Sequence, residues 1–202
     1  MQEIISAIKS HVERACSNTN FVHHKWYYQY HLLVVERIAL ELCTIYPSSD
    51  RDIVELLVWI HDYEKITRWQ TKGEEDKHQE GLVRLRLLLS NCGMTDSDIE
   101  DMIKLFETFE TKANEVLKDA SIEIQIVSSA DAASHLASPF FPIDWYEYHN
   151  LSIDELLQRG KDKLKKDWEQ KITLPEVKKK FRVRYELLLE ITAGQYPDSY
   201  FS

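Results

Sequence analysis

The chain of 202 residues is long enough for one well-formed hydrophobic core. Its 44% hydrophobic and 29% charged residues are ordinary for a globular protein. With only 5 glycines and 5 prolines, the chain has few of the residues that form the turns of a many-stranded sheet. The net charge of −9 argues against non-specific binding to the phosphate backbone of nucleic acids, because such binding needs clustered cations. Helices are therefore expected to dominate.

Apolar residues recur at helical spacing along the first half of the chain. The second predicted helix places His31 on the same stripe as Val35 and Ala39, and the third places His61 beside Leu57 and Ile60. The pattern predicts a helix over residues 2–16, a second from about 26 to 45, a third that begins after Ser49 or Asp50, a fourth that Gly93 ends, and a fifth that Thr95 or Ser97 caps.

The segment IEIQIVSSADAASHLA is locally ambiguous, because its first half alternates like a strand. We interpret it as a helix, since a lone strand would have no partner and Val127 and Asp131 are then one inward turn apart. SPFFPIDWYEYHN, residues 138–150, is interpreted as an aromatic loop. A capping box at Ser152 predicts a further helix to about residue 172.

A last helix is predicted from Pro175 to about Ala193, ended by Gly194. The chain shows no repeat and no linker, so we expect one compact all-α domain of about seven helices over residues 1–202. Its core would span about residues 20–137, with the C-terminal helices of residues 151–193 packed on it.

Several polar residues occupy positions where helical periodicity demands apolar side chains. They are His31, His61, His78 and Asp131, with Asp62 directly beside His61. Each buried polar group would otherwise need its own hydrogen-bonding partner. One divalent cation could satisfy them together, and a mixed set of imidazoles and carboxylates suits Mn, Fe, Co, Ni or Zn better than Ca.

The order and flanks of these residues resemble the H…HD…D signature of the HD-domain metal-dependent phosphohydrolases. The matching segments are YQYHLLVVERIALEL, LLVWIHDYEKI and SSADAASH, within about residues 20–137. The resemblance implies an HD-domain-like helical fold and one divalent metal ion, chosen from Mn, Fe, Co, Ni, Mg and Zn. The implied metal ligands are His31, His61, Asp62 and Asp131.

The resemblance also implies candidate catalytic residues, namely Asp62, His78, Lys65 and Glu64. Lys65 follows His61 by one helical turn and could bind a phosphate oxygen, although a solvated lysine is the simple alternative. Glu64 could orient a water or a histidine, or point outward. His78 could act as a general acid or contact phosphate. His135 is interpreted as a surface or hydrogen-bonding residue.

Relatives that bind two metal ions carry further histidines on the helix after His78. Here MIKLFETFETKA has none, so a single ion is expected. The implied activity is hydrolysis of a small phosphomonoester or nucleotide by a metal-activated water. A phosphodiesterase or pyrophosphohydrolase acting on a signalling nucleotide, and a metal-stabilised nucleotide-binding module without turnover, remain open alternatives.

The composition and sequence pattern also predict the binding partners and the cellular compartment of the protein. The expected partner is a small phosphorylated substrate, with no nucleic-acid polymer and no membrane, and a homodimer is left open. The chain has no apolar run of membrane-span length, and its amphipathic, charged start differs from a signal peptide. Cys16, Cys43 and Cys92 lack CxxC spacing, which favours free thiols in a reducing cytoplasm.

Overall fold

The computed structural model describes residues 1–70, 77–111 and 114–194 of the chain, and these residues form helices and turns without strands. The helices are α1 (Gln2–Cys16), α2 (Leu33–Ile45), α3 (Arg51–Ile60), α4 (Tyr63–Thr67), α5 (Lys77–Asn91), α6 (Asp96–Glu110), α7 (Asn114–Asp119), α8 (Ile122–Ala137), α9 (Phe140–Glu147), α10 (Ile153–Lys166) and α11 (Pro175–Ala193). Two π-helical turns, Tyr28–Leu32 and Asp167–Lys171, adjoin α2 and α10. The all-α prediction is confirmed for this part of the chain, whereas the predicted number of about seven helices is too low because several helices are short.

Side-chain caps fix where several helices begin and end. Asp50 accepts hydrogen bonds from the backbone N–H groups at the start of α3, and Thr95 does the same for α6. The capping box predicted at Ser152 is present at the start of α10. Gly194 ends α11 in the left-handed conformation, with φ of 64°, which glycine adopts without steric cost.

Helix α8 is the central element of the fold. It packs against α2, α3, α6, α9 and α11 and is buried along most of its length. Small residues such as Ala130, Ala132 and Ala133 let the neighbouring helices approach closely. The helical interpretation of this segment is confirmed, and the strand-like alternation of its first half has no structural counterpart.

The aromatic segment of residues 138–150 is not a loop, so that prediction is wrong. Phe140–Glu147 forms α9, with Pro139 at its N-cap. Pro142 lies in the first turn, where no backbone N–H has an intrahelical acceptor, so proline costs no hydrogen bond there. Phe141 is buried and contributes to the core.

Two predicted helices differ at their ends from the structure. Turns precede residue 27, and a π-helical turn carries His31 before α2 begins. Helix α3 ends at Ile60, so His61 and Asp62 lie in the turn between α3 and α4 and not on the helical stripe.

The three cysteines are free, as expected. Among the helices of the described ranges, none combines the length and the apolar character that crossing a bilayer requires.

Candidate metal centre

Side chains from three separate parts of the chain converge near the N-terminal end of α2. His31 comes from the π-helical turn, His61 and Asp62 from the turn after α3, and Asp131 from α8. His31 Nε2 lies 3.3 Å from His61 Nε2, 3.5 Å from Asp131 Oδ1 and 3.9 Å from Asp62 Oδ2. His61 Nε2 lies 3.7 Å from Asp62 Oδ2 and 3.9 Å from Asp131 Oδ1. Both histidines and Asp131 are buried, and Asp62 is partly open to solvent.

The π-helical turn at Tyr28–Leu32 positions the first of these residues. Such turns are rare and occur frequently at functional sites. Here the turn precedes α2, which packs tightly on α8. His31 is therefore buried in the space between α2, α8 and the end of α3 and does not face the solvent.

The hydrogen bonds of the two imidazoles identify their tautomers. His61 Nδ1 lies 2.6 Å from the Val58 carbonyl oxygen, which can only accept, so Nδ1 carries the proton. Ser134 Oγ donates to the Asp131 carbonyl oxygen, so it accepts from His31 Nδ1 at 2.9 Å. Both Nε2 atoms are therefore unprotonated acceptors that face each other and cannot form a hydrogen bond together.

The two carboxylates are held in their ionised form. Burial alone would raise the pKa of Asp131, but the Lys171 ammonium, whose Nζ is 2.7 Å from Oδ2, holds this pKa well below its usual range. Burial opposes ionisation of Asp62 in the same way, and Lys65 and His61 outweigh it, so its pKa is also well below the ordinary value. Both groups are anionic at neutral pH.

Burial also keeps His31 neutral. It lowers the pKa of His31 well below its ordinary value, and the neighbouring His135 adds to that effect. The cluster thus presents the Nε2 atoms of two imidazoles and two carboxylate oxygens to one small volume. The two buried Nε2 atoms face each other without a donor between them, which is costly unless a cation lies among these acceptors.

The spacing of these acceptors fits a metal ion. Donor atoms that share an ion at about 2.0–2.2 Å lie about 3–4 Å from one another, depending on the coordination angle. The separations that involve His31 or His61, 3.3–3.9 Å, fall in this range. Nitrogen and oxygen donors together suit a transition-metal ion or Mg more than Ca.

A buried ionic network supports the cluster on the side of α10. Lys171 binds Asp131, and Asp167 accepts hydrogen bonds from His135 Nδ1 at 2.9 Å and from Lys163 Nζ at 2.7 Å. Because Nδ1 of His135 is the donor, its Nε2 is a fifth acceptor, 4.0 Å from Asp131 Oδ1. A carboxylate that binds the far nitrogen of a histidine in this way orients the imidazole toward a metal site.

His135 was interpreted as a surface or hydrogen-bonding residue, and the structure shows it buried and hydrogen-bonded. Its ring stacks on that of His31, with centroids 5.1 Å apart. The sequence pattern does not predict that Lys163, Asp167 and Lys171 support the site. Their four-residue spacing indicates that they share one side of a helix, but alternating charges at that spacing usually indicate a solvated helix face.

The catalytic candidates outside the cluster lie on its open side. Lys65 Nζ, on α4, is 3.3 Å from Asp62 Oδ2 and above the ring of Tyr27, whose hydroxyl donates to the same oxygen at 2.5 Å. His78 was expected on an inward stripe, but its side chain is 46% exposed at the start of α5. There its Nδ1 lies 3.1 Å from Glu64 Oε2. Among the described residues, possible metal ligands form two groups that share His31, namely His31–Asp131–His135 and His31–His61–Asp62, and neither group includes Glu64 or His78.

Gly81 allows α5 to approach the Glu64 side chain. A Cβ at this position would lie 2.4 Å from Glu64 Cγ and 3.1 Å from its Cβ, so the side chain would have to move. We expect Gly81→Ala to lower the free energy of unfolding by about 1–2 kcal/mol, because overpacking exceeds the gain in helix propensity of about 1 kcal/mol. Urea denaturation measures this effect.

The matched control is Ser90→Ala, an exposed position on the same helix. It should leave stability unchanged or raise it slightly. If Gly81→Ala stabilises the protein as much as helix propensity alone predicts, the close contact with Glu64 does not exist in solution.

Comparison with protein-family models, with curated proteins and with solved structures finds no match to this chain. The role of the cluster therefore has to be inferred from its own donor atoms, distances and charges.

Proposed function

We propose that the chain is a divalent-metal-dependent phosphohydrolase of the HD-domain type, acting on a small phosphomonoester or a nucleotide. The observation that carries this proposal is the convergence of four unprotonated donor atoms in one largely buried cluster. The order of these residues along the chain, H…HD…D, supports it. The proposed metal ligands are His31, His61, Asp62 and Asp131.

Two imidazoles and two carboxylates fit one ion of Mn, Fe, Co, Ni, Mg or Zn. In an octahedral shell they would leave two positions for water and substrate. A divalent ion in such a site supplies Lewis acidity toward a phosphoryl oxygen and lowers the pKa of an attacking water.

The chain's own residues have distinct tasks in this proposal. Lys171 and Ser134 orient Asp131 and His31, and the Tyr27 hydroxyl orients Asp62. We assign to Lys65 the role of binding the phosphate oxygens of the substrate. Its ammonium lies beside the cluster on the open side, and its flexible side chain can move from Asp62 to a phosphate oxygen. His78 remains the predicted general acid.

The test begins with protein stripped of metal and reloaded separately with each of the candidate ions. A panel of phosphomonoesters and nucleotides is then incubated with each form, and both inorganic phosphate and organic products are measured. We expect phosphate release that requires the added ion. A folded, metal-loaded protein that leaves the whole panel intact would contradict the proposal.

The same experiment separates the alternatives. Intact nucleotide products without inorganic phosphate would indicate a phosphodiesterase or pyrophosphohydrolase. Tight binding of a nucleotide without any product would indicate a binding module.

A further inference from the structure

Helix α11 carries apolar residues beyond its buried side. The buried side, which includes Val177 and Thr192, belongs to the face by which the helix packs against α8 and α10. An adjoining stripe carries Val183, Leu187 and Ile191 at four-residue spacing, with 76%, 56% and 49% of their surfaces exposed. A surface helix normally has one apolar stripe, so the second stripe indicates a surface that another molecule covers.

An apolar groove lies beside the N-terminal half of the same helix. It has a volume of about 520 Å³ and runs between α2 and α11. Its apolar lining consists of Ile38, Leu42, Ile45, Val177 and Phe181, and its remaining residues are two acids and two lysines, Glu41, Glu176, Lys179 and Lys180. The exposed stripe and the groove thus occupy opposite ends of one helix.

We propose that the stripe of one chain binds in the groove of a second copy, giving a homodimer with the two α11 helices antiparallel. An antiparallel arrangement brings the C-terminal half of one α11 against the N-terminal half of the other. Leu187 and Ile191 of each copy would then enter the partner's groove, and the two Val183 side chains would lie near the two-fold axis. Such an interface is self-complementary and closes at two subunits.

The charges of α11 favour this orientation. Its N-terminal half exposes Lys179 and Lys180 together with one acid, Glu176, and its C-terminal half exposes Glu190, whereas Arg182 and Glu186 pair with each other within the helix. Lys179 and Glu190 are about three turns apart and share one side of the helix. In the antiparallel pair each Lys179 faces Glu190 of the other copy, whereas a parallel pair would place like charges together, which is unfavourable.

Sedimentation velocity over a range of protein concentrations tests the proposal. We expect the wild-type chain to sediment as a species of twice its 23.9 kDa mass at high concentration. Leu187→Glu should weaken dimerisation at least about tenfold, because a charge replaces a side chain at the centre of the interface. Val83→Glu is the matched control, since Val83 is 56% exposed on α5 and far from α11 in sequence.

A charge exchange tests the antiparallel register separately. Lys179→Glu alone and Glu190→Lys alone should each weaken the dimer, and the double variant Lys179→Glu/Glu190→Lys should restore it. A wild-type chain that remains monomeric at every concentration would overturn the proposal. A dimer that Leu187→Glu leaves intact, or that the double variant does not restore, would overturn it as well. Because metal binding does not enter the assay, the result is independent of the proposed function.

Discussion

Asp62→Ala is expected to abolish metal-dependent phosphate release and to weaken metal binding at least about 100-fold. Even residues that only hydrogen-bond to a metal ligand contribute about 10–100-fold in affinity, so loss of a ligand should cost at least that much. Asp62 Oδ2 lies within 3.9 Å of both imidazole Nε2 atoms, which makes it part of the donor set. Isothermal titration calorimetry on the metal-free variant measures the affinity.

The fold should survive this substitution. Asp62 lies in a turn and is partly exposed, and Asp131 keeps its own cation, Lys171, when Asp62 is removed. Loss of the acceptor for the buried Tyr27 hydroxyl should lower the free energy of unfolding by about 1–3 kcal/mol. Asp101→Ala, an exposed carboxylate on α6, is the matched control and should change neither metal affinity nor activity. An Asp62→Ala variant with wild-type metal affinity would show that the ion, if any, binds elsewhere.

Lys171→Met is expected to destabilise the metal-free protein by about 3–5 kcal/mol, because it leaves the buried Asp131 carboxylate without its cation. Lys171 is itself buried, and its ammonium is 2.7 Å from Asp131 Oδ2. Urea denaturation in the presence of a chelator measures this loss.

Metal should recover part of that stability. A divalent ion provides the positive charge that the variant lacks, and binding to the folded state alone raises stability with ligand concentration. We therefore expect the added ion to stabilise Lys171→Met by more than it stabilises the wild type. A loss that is the same with and without metal would contradict the assignment of Asp131 as a ligand.

A double variant tests the same assignment if Lys171→Met does not fold. Asp131→Asn/Lys171→Met removes both charges of the pair, which often restores stability at buried ion pairs. It should be more stable than Lys171→Met in the chelator and should gain little from added metal. Lys163→Met provides a comparison within the same network, since its ammonium pairs with Asp167 and not with Asp131.

Helical periodicity accounts for most of what the sequence predicted correctly. The apolar stripes located the main helices, and Asp50, Thr95 and Ser152 lie at their N-caps. The aromatic segment was misread because prolines and bulky rings suggest a loop, although proline is compatible with the first turn of α9.

The four clustered residues were recognisable because polar side chains on apolar stripes are costly when they are buried alone. Periodicity could not show that α3 ends just before His61, because neither glycine nor proline follows Ile60 to mark the end of the helix. His78 shows the reverse error. It continues the stripe of Leu82, Leu85 and Leu89 in sequence, but the beginning of α5 lies at the surface, so this histidine is half-exposed.

The supporting network was not predictable from local pattern. Lys163, Asp167 and Lys171 follow the spacing of a solvated salt-bridge face, and only their packing against α8 reveals that Asp167 and Lys171 are buried. Ser128 and Ser129 hydrogen-bond residues 171–174, and these bonds place Lys171 opposite Asp131. Such contacts join residues more than forty positions apart, beyond the reach of helical periodicity.

The central claim is that one divalent ion binds where the two imidazoles and two carboxylates meet. Anomalous diffraction from a crystal of the Mn- or Zn-loaded protein tests it most directly. We predict a single strong peak about 2.0–2.3 Å from His31 Nε2, His61 Nε2, Asp62 Oδ2 and Asp131 Oδ1. Density free of any metal peak there, in a crystal grown with excess ion and with the four side chains in place, would contradict the account.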